Sequence, residues 1–326
     1  MQAFDVNNIF SVSPANFDQT ALELFQFQYA QNPVYQQWCQ LMGVNPAQVK
    51  TIESIPALPV SFFKTHAIVT GDFPLDRFFE SSGTTQTSNS RHWVADVDLY
   101  RQSFSKAFEL FYGHPQDWAI IGLLPAYLER QHSSLVLMVD ELIKASGHPS
   151  SGFYLYDHEA LSATLRSNEL AGQKTLLIGV TFALLDFAES HPQHLVHTTI
   201  METGGMKGRR RELTRTELHE TLCAGLGVTK IHSEYGMTEL LSQAYSLGDG
   251  LYQCPPWMRL LVRDETDPQQ VHRSGRGVFN IIDLANAHSI GFIATDDMGV
   301  LHPDGSFEVW GRMDNSDIRG CSLMAP

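Results

Sequence analysis

Residues 175–203, TLLIGVTFALLDFAESHPQHLVHTTIMET, decide the fold class. TLLIGVT (175–181) reads as a buried strand, Ala183 to Ser190 as a helix, and VHTTIMET (196–203) as the next strand. A strand that returns through a helix to another strand is a crossover unit, which makes neighbouring strands parallel. The same grammar extends upstream. WAIIGLL (118–124) is a further buried strand, followed by a helix around Ser133 to Ala145. Asp98 is placed to cap a helix whose Leu99, Ser103, Phe104, Ala107, Phe108 and Phe111 share a face, with Gly113 at its end. Downstream, Thr214 and Glu217 form a capping-box signature for a helix through Leu218 and Leu222.

Outside this core the character changes. Ala21, Leu22, Phe25 and Tyr29 fall at helical spacing, Pro33 can open a second helix that Gly43 closes, and Pro56 and Pro59 force an extended passage. After about residue 255, WMRLLV, GVFNIID, HSIGFIAT and SFEVWG are short β-like runs between Gly, Asp and Pro turns. With no internal repeat, the expectation is one α/β body over 1–326. It has a helical part at 1–65, a core at 66–254 with a mostly parallel sheet flanked by helices, and a small antiparallel part at 255–326.

Composition narrows the function. Of 326 residues 43% are hydrophobic and 18% charged, so a core forms and wholesale disorder is excluded. The net charge of −14 argues against a nucleic-acid partner, though local amides and a few cations can still hold a small anion. No apolar run is long enough to span a membrane, and MQAFDVNN lacks the features of a signal peptide. Cys39, Cys223, Cys254 and Cys321 are scattered with no CxxC pair, which fits a reducing, cytoplasmic location. His191, His194 and His197 sit three apart, but Pro192 interrupts them, and a solvated loop is the better reading than a metal site.

Three stretches read as loops that carry chemistry. Ser81-Ser82-Gly83-Thr84-Thr85, with Ser88 and Ser90 just beyond, offers hydroxyls and amides to a phosphate chain. Glu234-Tyr235-Gly236-Met237-Thr238-Glu239 follows the strand-like VTKIH. There Thr238 can donate to a phosphate, Glu239 can hold Mg²⁺ and Tyr235 offers a flat face to a base. Thr295-Asp296-Asp297-Met298-Gly299, then Gly311-Arg312-Met313-Asp314, sets a carboxylate one strand before an arginine, an arrangement suited to a ribose.

In this order the three resemble the adenylate-forming superfamily of acyl- and aryl-CoA ligases, peptide-synthetase adenylation domains and luciferases. Within it, LLPAYLERQHSSLVLMVDELI (123–143), GVTFALLDFAE (179–189) and GGMKGRRRELTRTELHE (204–220) look like the LuxE-like acyl-protein synthetases. The resemblance implies an adenylate-forming N-terminal-type domain that binds ATP and Mg²⁺. It activates a carboxylic acid, a fatty acid in that branch, as acyl-AMP and passes the acyl group to a thiol. Carried over, Ser81 through Thr85 contact the β- and γ-phosphates, Thr238 the α-phosphate, and Glu239 the Mg²⁺. Asp297 and Arg312 hold the ribose, while Gly204, Gly205, Tyr235 and Gly236 frame the adenine, with Tyr235 stacked on it. Arg130 and His132 lie near the carboxylate being activated. Cys321 is the acyl acceptor, with Cys254 as fallback; an acyl-carrier or reductase protein, or CoA, is the other possible thiol. Phe104, Phe108, Leu135, Met138 and Phe182 can line an acyl tunnel, or simply belong to the core.

Two departures stand out. Larger relatives continue past the Gly-Arg hinge into a mobile lid with a catalytic lysine, whereas this sequence ends at Pro326. The phosphate loop also lacks the lysine common in larger relatives. A different cation is therefore expected at the developing pyrophosphate charge, from Arg91 or the run Lys207, Arg209, Arg210, Arg211. Alternatives to the acyl-protein ligase are a compact CoA ligase similar to phenylacetate–CoA ligases, or a non-catalytic homologue that binds an acyl-carrier partner.

Overall fold

A computed structural model describes residues 4–81, 89–125, 131–204 and 213–313. It opens on helices α1 (Phe17–Gln31) and α2 (Pro33–Leu41), divided where the sequence predicts. The Asn32 side chain accepts the Tyr35 amide, and Pro33 sits in the first turn, where no backbone donor is needed. The short strands β1 (Leu58–Pro59), β2 (Phe78–Glu80) and β3 (Arg91–Trp93) follow, then α3 (Val97–Tyr112). Asp96, not Asp98, caps α3 by accepting the Asp98 amide at 2.8 Å; Asp98 falls in the first turn.

The crossover region contains β4 (Ala119–Leu123), α4 (Ser134–Ser146), β5 (Gly152–Phe153), α5 (His158–Ala171), β6 (Thr175–Val180), α6 (Thr181–Ser190), β7 (Thr198–Thr203), α7 (Arg215–Leu226) and β8 (His232–Tyr235). Its strands lie in the order β5-β4-β6-β7-β8, all parallel. Gly122 faces Val139 of α4, whereas Gly179, paired with Leu123, faces Leu184 of α6. Consecutive strand residues point to opposite faces, so α4 and α6 cover opposite sides of the sheet. The capping box at Thr214 and Glu217 is present in both directions. Helix α5 escapes the periodicity reading because only Leu161 and Leu165 among its large apolar residues are buried.

Beyond β8 the chain forms β9 (Ala244–Ser246), β10 (Tyr252–Gln253), β11 (Met258–Arg263), β12 (Val271–His272), β13 (Gly275–Asp283), β14 (Phe292–Leu301) and β15 (Phe307–Arg312). These strands do not form a separate layer. β9 pairs antiparallel with β8 and β10 with β15, which joins the two regions into one sheet of thirteen described strands. Strand β1 pairs with the first part of β14 and β15 with its last part, so Asp297 lies where one neighbour gives way to the other.

Two stretches read as loops are strand. Thr295–Gly299 lies inside β14, and Glu234 and Tyr235 are the last residues of β8, which begins only at His232. Both contain Asp, Glu or Gly, which suggest turns locally, but the ladders on either side hold them extended. The β14–β15 register shifts between Met298 and Gly299, and a Cβ at Gly299 would strike the Glu308 carbonyl. Gly299→Ala is expected to cost about 2 kcal/mol or more in urea denaturation, because main chain rather than a mobile side chain blocks the added methyl.

Candidate active site

The turn after β8 starts at a glycine because a Cβ at Gly236 would strike the Glu234 carboxylate. Its remaining backbone is fixed by buried side chains. Asp283, at the end of β13, accepts from the amides of Leu241 and Ser242 at 2.8 and 3.1 Å and from the Ser242 hydroxyl at 2.6 Å. Asn286 donates to the Glu239 carbonyl at 2.7 Å, and His92 of β3 donates from Nδ1 to the Thr238 carbonyl at 2.9 Å. The turn thus holds Thr238 half-buried and Glu239 buried at the carboxyl edge of the parallel strands.

The late Asp/Arg pair meets the same edge. Tyr235 donates its hydroxyl to Asp297 Oδ2 at 2.7 Å, and Arg312 Nε donates to Oδ1 at 3.1 Å. Asp297 is buried while Asp296 is exposed, so the strand alternation selects the aspartate that faces the site. Burial, then the adjacent Asp297 charge, holds the Tyr235 phenol protonated.

The third segment arrives on the β2–β3 hairpin. Its neck is closed by the Ser81 amide on the Ser90 carbonyl at 3.1 Å and the Ser90 amide on the Ser81 hydroxyl at 3.0 Å. Ser90 is buried, as is Glu239, and its hydroxyl favours the charged form of the Glu239 carboxyl. Burial pushes the Glu239 carboxyl up, while Ser90 and the charges of Arg312 and Lys64 pull it back. Glu239 is thus a buried carboxylate beside the hairpin neck, and Mg²⁺ characteristically binds through one or two carboxylates plus the phosphates of its nucleotide. Among the described residues there is no group of three or more His, Cys, Asp or Glu that could hold a metal ion.

The chain is 23% identical over 323 residues to a long-chain-fatty-acid–luciferin-component ligase of Vibrio harveyi, covering 92% of this chain and 84% of that one. It is 22% identical over 335 residues to the protein of the same name from Aliivibrio fischeri, covering 94% and 86%. Among solved structures, an open conformation of 2-hydroxyisobutyryl-CoA ligase, in complex with 2-HIB-AMP and CoA, superposes with a TM-score of 0.62. It is 13% identical and covers 95% of this chain and 78% of that one. ATP-bound MatB from Rhodopseudomonas palustris gives 0.53 at 19% identity, covering 74% and 50%. The chain has the adenylate-forming fold and a LuxE-like sequence. No protein-family model matches it.

Within the adenylate-forming fold, the structure brings Ser81, Tyr235, Gly236, Thr238, Glu239, Asp297 and Arg312 to one edge. Gly204 follows β7 with φ of 72°, and its carbonyl accepts from the Thr181 hydroxyl. The Tyr235 ring is buried, with Phe307 and Tyr252 edge-on at 5.4 and 6.0 Å. Arg91 is not brought to Glu239. It lies on the hairpin face opposite His92, paired with Glu80 at 3.1 Å and over the Phe78 ring. His132 stacks on Phe78 at 4.3 Å beside the same hairpin. Phe104, Phe108 and Met138 are core residues, and Leu135 and Phe182 pack against that core. Burial pushes the Cys254 thiol well above its ordinary range, which suits a structural residue. Ser82, Gly83, Thr84, Thr85, Arg130, Gly205, Lys207, Arg209, Arg210, Arg211 and Cys321 lie outside the described residues. Among the described residues no helix is long and apolar enough to cross a membrane.

Sequence reading misses Lys64, His92, Asp283 and Asn286. Lys64 ends a short 3-10 turn that packs against β14 and β3, and nothing in PVSFFK marks it. Asp283 left a usable trace as the one acid ending the apolar run GVFNIID.

Glu234 supplies a test of the local electrostatics. Burial pushes its carboxyl up to about 7 from an ordinary 4.5, against the Thr203 hydroxyl that donates to it. The native state therefore binds this proton more tightly than the unfolded chain. The resulting stabilisation is full below 4.5 and is lost as pH rises through 7. Glu234→Gln should be the more stable protein at about pH 8 by on the order of 1–3 kcal/mol, with the gap closing toward about pH 4.5 in thermal melts.

Proposed function

We propose that the protein is an AMP-forming acid–thiol ligase that activates a carboxylic acid, a fatty acid by its resemblance, and passes the acyl group to a thiol. One observation carries the reading: the hairpin's second strand reaches the Thr-Glu turn through His92 on the Thr238 carbonyl, and Tyr235, just before that turn, shares Asp297 with Arg312 of the last strand.

The Asp297 oxygens each keep a lone pair beyond those used by Tyr235 and Arg312, enough to accept the hydroxyls of a ribose. Thr238 and the hairpin hydroxyls donate to the phosphates, and Gly204 with Tyr235 borders the base. Glu239 is the residue that would hold Mg²⁺ together with the phosphates, and the ion would supply charge neutralisation. The acid is already ionised near neutral pH, so its carboxylate attacks the α-phosphorus without a general base and pyrophosphate leaves. The chain's work is positioning and charge stabilisation. Lys64 and Arg312 are the cations whose fields reach Glu239, and they take the part expected of Arg91. In the second half the acyl-adenylate gives its acyl group to a thiol and AMP leaves. Cys321 is the acceptor favoured by sequence resemblance, with CoA or a carrier protein as the other thiol sources.

Carboxylate-dependent ATP–pyrophosphate exchange across fatty and aromatic acids tests the first half. Exchange that needs both an acid and Mg²⁺ is expected, and protein that binds Mg·ATP yet exchanges with no acid contradicts the reading. Lys64→Gln should lower the exchange rate by about tenfold or more with little change in melting temperature. Labelled acid with ATP should leave a hydroxylamine-sensitive acyl group on wild-type protein and none on Cys321→Ser. Consumption of CoA without protein labelling would make CoA the acceptor.

A further inference from the structure

The turn bearing Thr238 and Glu239 is held from two sides by polar side chains that touch neither a phosphate donor atom nor a metal-binding oxygen. His92 is fully buried, with Phe63 and Phe79 edge-on at 5.5 and 6.4 Å. Its Nδ1 faces a carbonyl oxygen, so Nδ1 carries the proton, and burial pushes the ring's pKa down to about 4, which keeps it neutral. Its Nε2 faces Asn286 without closing a hydrogen bond, and Asn286 Oδ1 is likewise buried without one. Asn286 is itself fully buried and spends its amide on the Glu239 carbonyl. Both residues line one small cavity of about 10 Å³ with Asp96, Leu241 and His288.

Two buried polar side chains with an unsatisfied atom each are a costly way to fill a core. Their satisfied atoms fall on consecutive peptides, the carbonyls of Thr238 and Glu239. His92 also belongs to β3, the second strand of the hydroxyl-rich hairpin, two residues after Ser90 at the hairpin neck. The hairpin and the Thr-Glu turn are thus linked through the His92 side chain.

We propose that His92 and Asn286 are positioning residues. They clamp the Thr238 and Glu239 carbonyls, set the direction of the two functional side chains, and couple the phosphate-binding hairpin to the metal-binding carboxylate. This inference rests on the ligase reading above. Neither residue enters the reaction, so the clamp acts on how Mg·ATP is held.

The test is ATP–pyrophosphate exchange by full-length protein, with KM for Mg·ATP, half-saturating Mg²⁺ and thermal midpoint measured together. His92→Leu removes the donor but keeps an apolar filling between Phe63 and Phe79. It should raise KM for Mg·ATP by about tenfold or more. His92→Asn places an amide donor near the Nδ1 position and should restore KM to within about threefold of wild type. Asn286→Asp keeps the shape, loses the donor, and should raise half-saturating Mg²⁺ by about tenfold. A lower thermal midpoint with wild-type KM and Mg²⁺ dependence in these variants marks a purely structural role and overturns the clamp. Should His92→Leu fail to fold, His92→Asn and Asn286→Asp decide it by the same readouts. Wild-type protein that binds a non-hydrolysable ATP analogue but exchanges with no acid removes the reaction and leaves the clamp to be judged by analogue affinity, where the same ratios apply. Wild-type protein that does not bind the analogue overturns both.

Discussion

The carboxylate of Asp297 accepts from Tyr235 with one oxygen and from Arg312 with the other, and the geometry of the site depends on that shared acceptor. Tyr235 ends the last parallel strand, whereas Asp297 and Arg312 sit on paired antiparallel strands. One buried anion therefore orients side chains from both halves of the sheet at the edge where a ligand would lie. A hydrogen bond to a charged group is worth about 1.5–3 kcal/mol, enough to hold one tyrosine rotamer but not to build the sheet. The ladders bring the strands together, and Asp297 sets their side chains.

Charge placement explains how an acidic chain can offer a site to a polyanion. The net charge of −14 is spread over the surface, where salt screens it beyond about 10 Å. At the site, the charges of Arg312 and Lys64 and the Ser90 hydroxyl all favour the ionised Glu239 carboxyl against its burial. The nearby buried Glu234 is pushed up to about 7 and carries less negative charge near neutral pH than an ordinary glutamate would. The field that matters to a nucleotide is thus local.

How much of this was legible in the sequence follows from the range of each interaction. The strands at 118–124 and 175–181 and the helices after them are readable because burial on both faces leaves long apolar runs. The capping box at Thr214 is readable because it involves residues three apart. Asp297 and Arg312 were singled out as a pair, and the β14–β15 register places them opposite each other. The strand conformation of Thr295–Gly299 was not legible, because Asp and Gly argue for a turn until cross-strand partners are known. Arg91 was one of the expected cations, beside the run Lys207, Arg209, Arg210, Arg211, yet a two-residue alternation turns it toward Glu80 while His92 turns inward. Lys64, His92, Asp283 and Asn286 converge on the Thr-Glu turn from distant positions in the chain, and no local pattern records such a meeting.

Photolabelling with an adenine nucleotide bearing an azide on the base, followed by peptide mapping, tests the central claim most directly. The account predicts Mg²⁺-dependent label, displaced by ATP, on peptides that contain Gly204 after β7 or the end of β8 at Tyr235. Saturable, ATP-displaced label confined to any other surface, such as the outer side of α7 or the N-terminal helices, would contradict it.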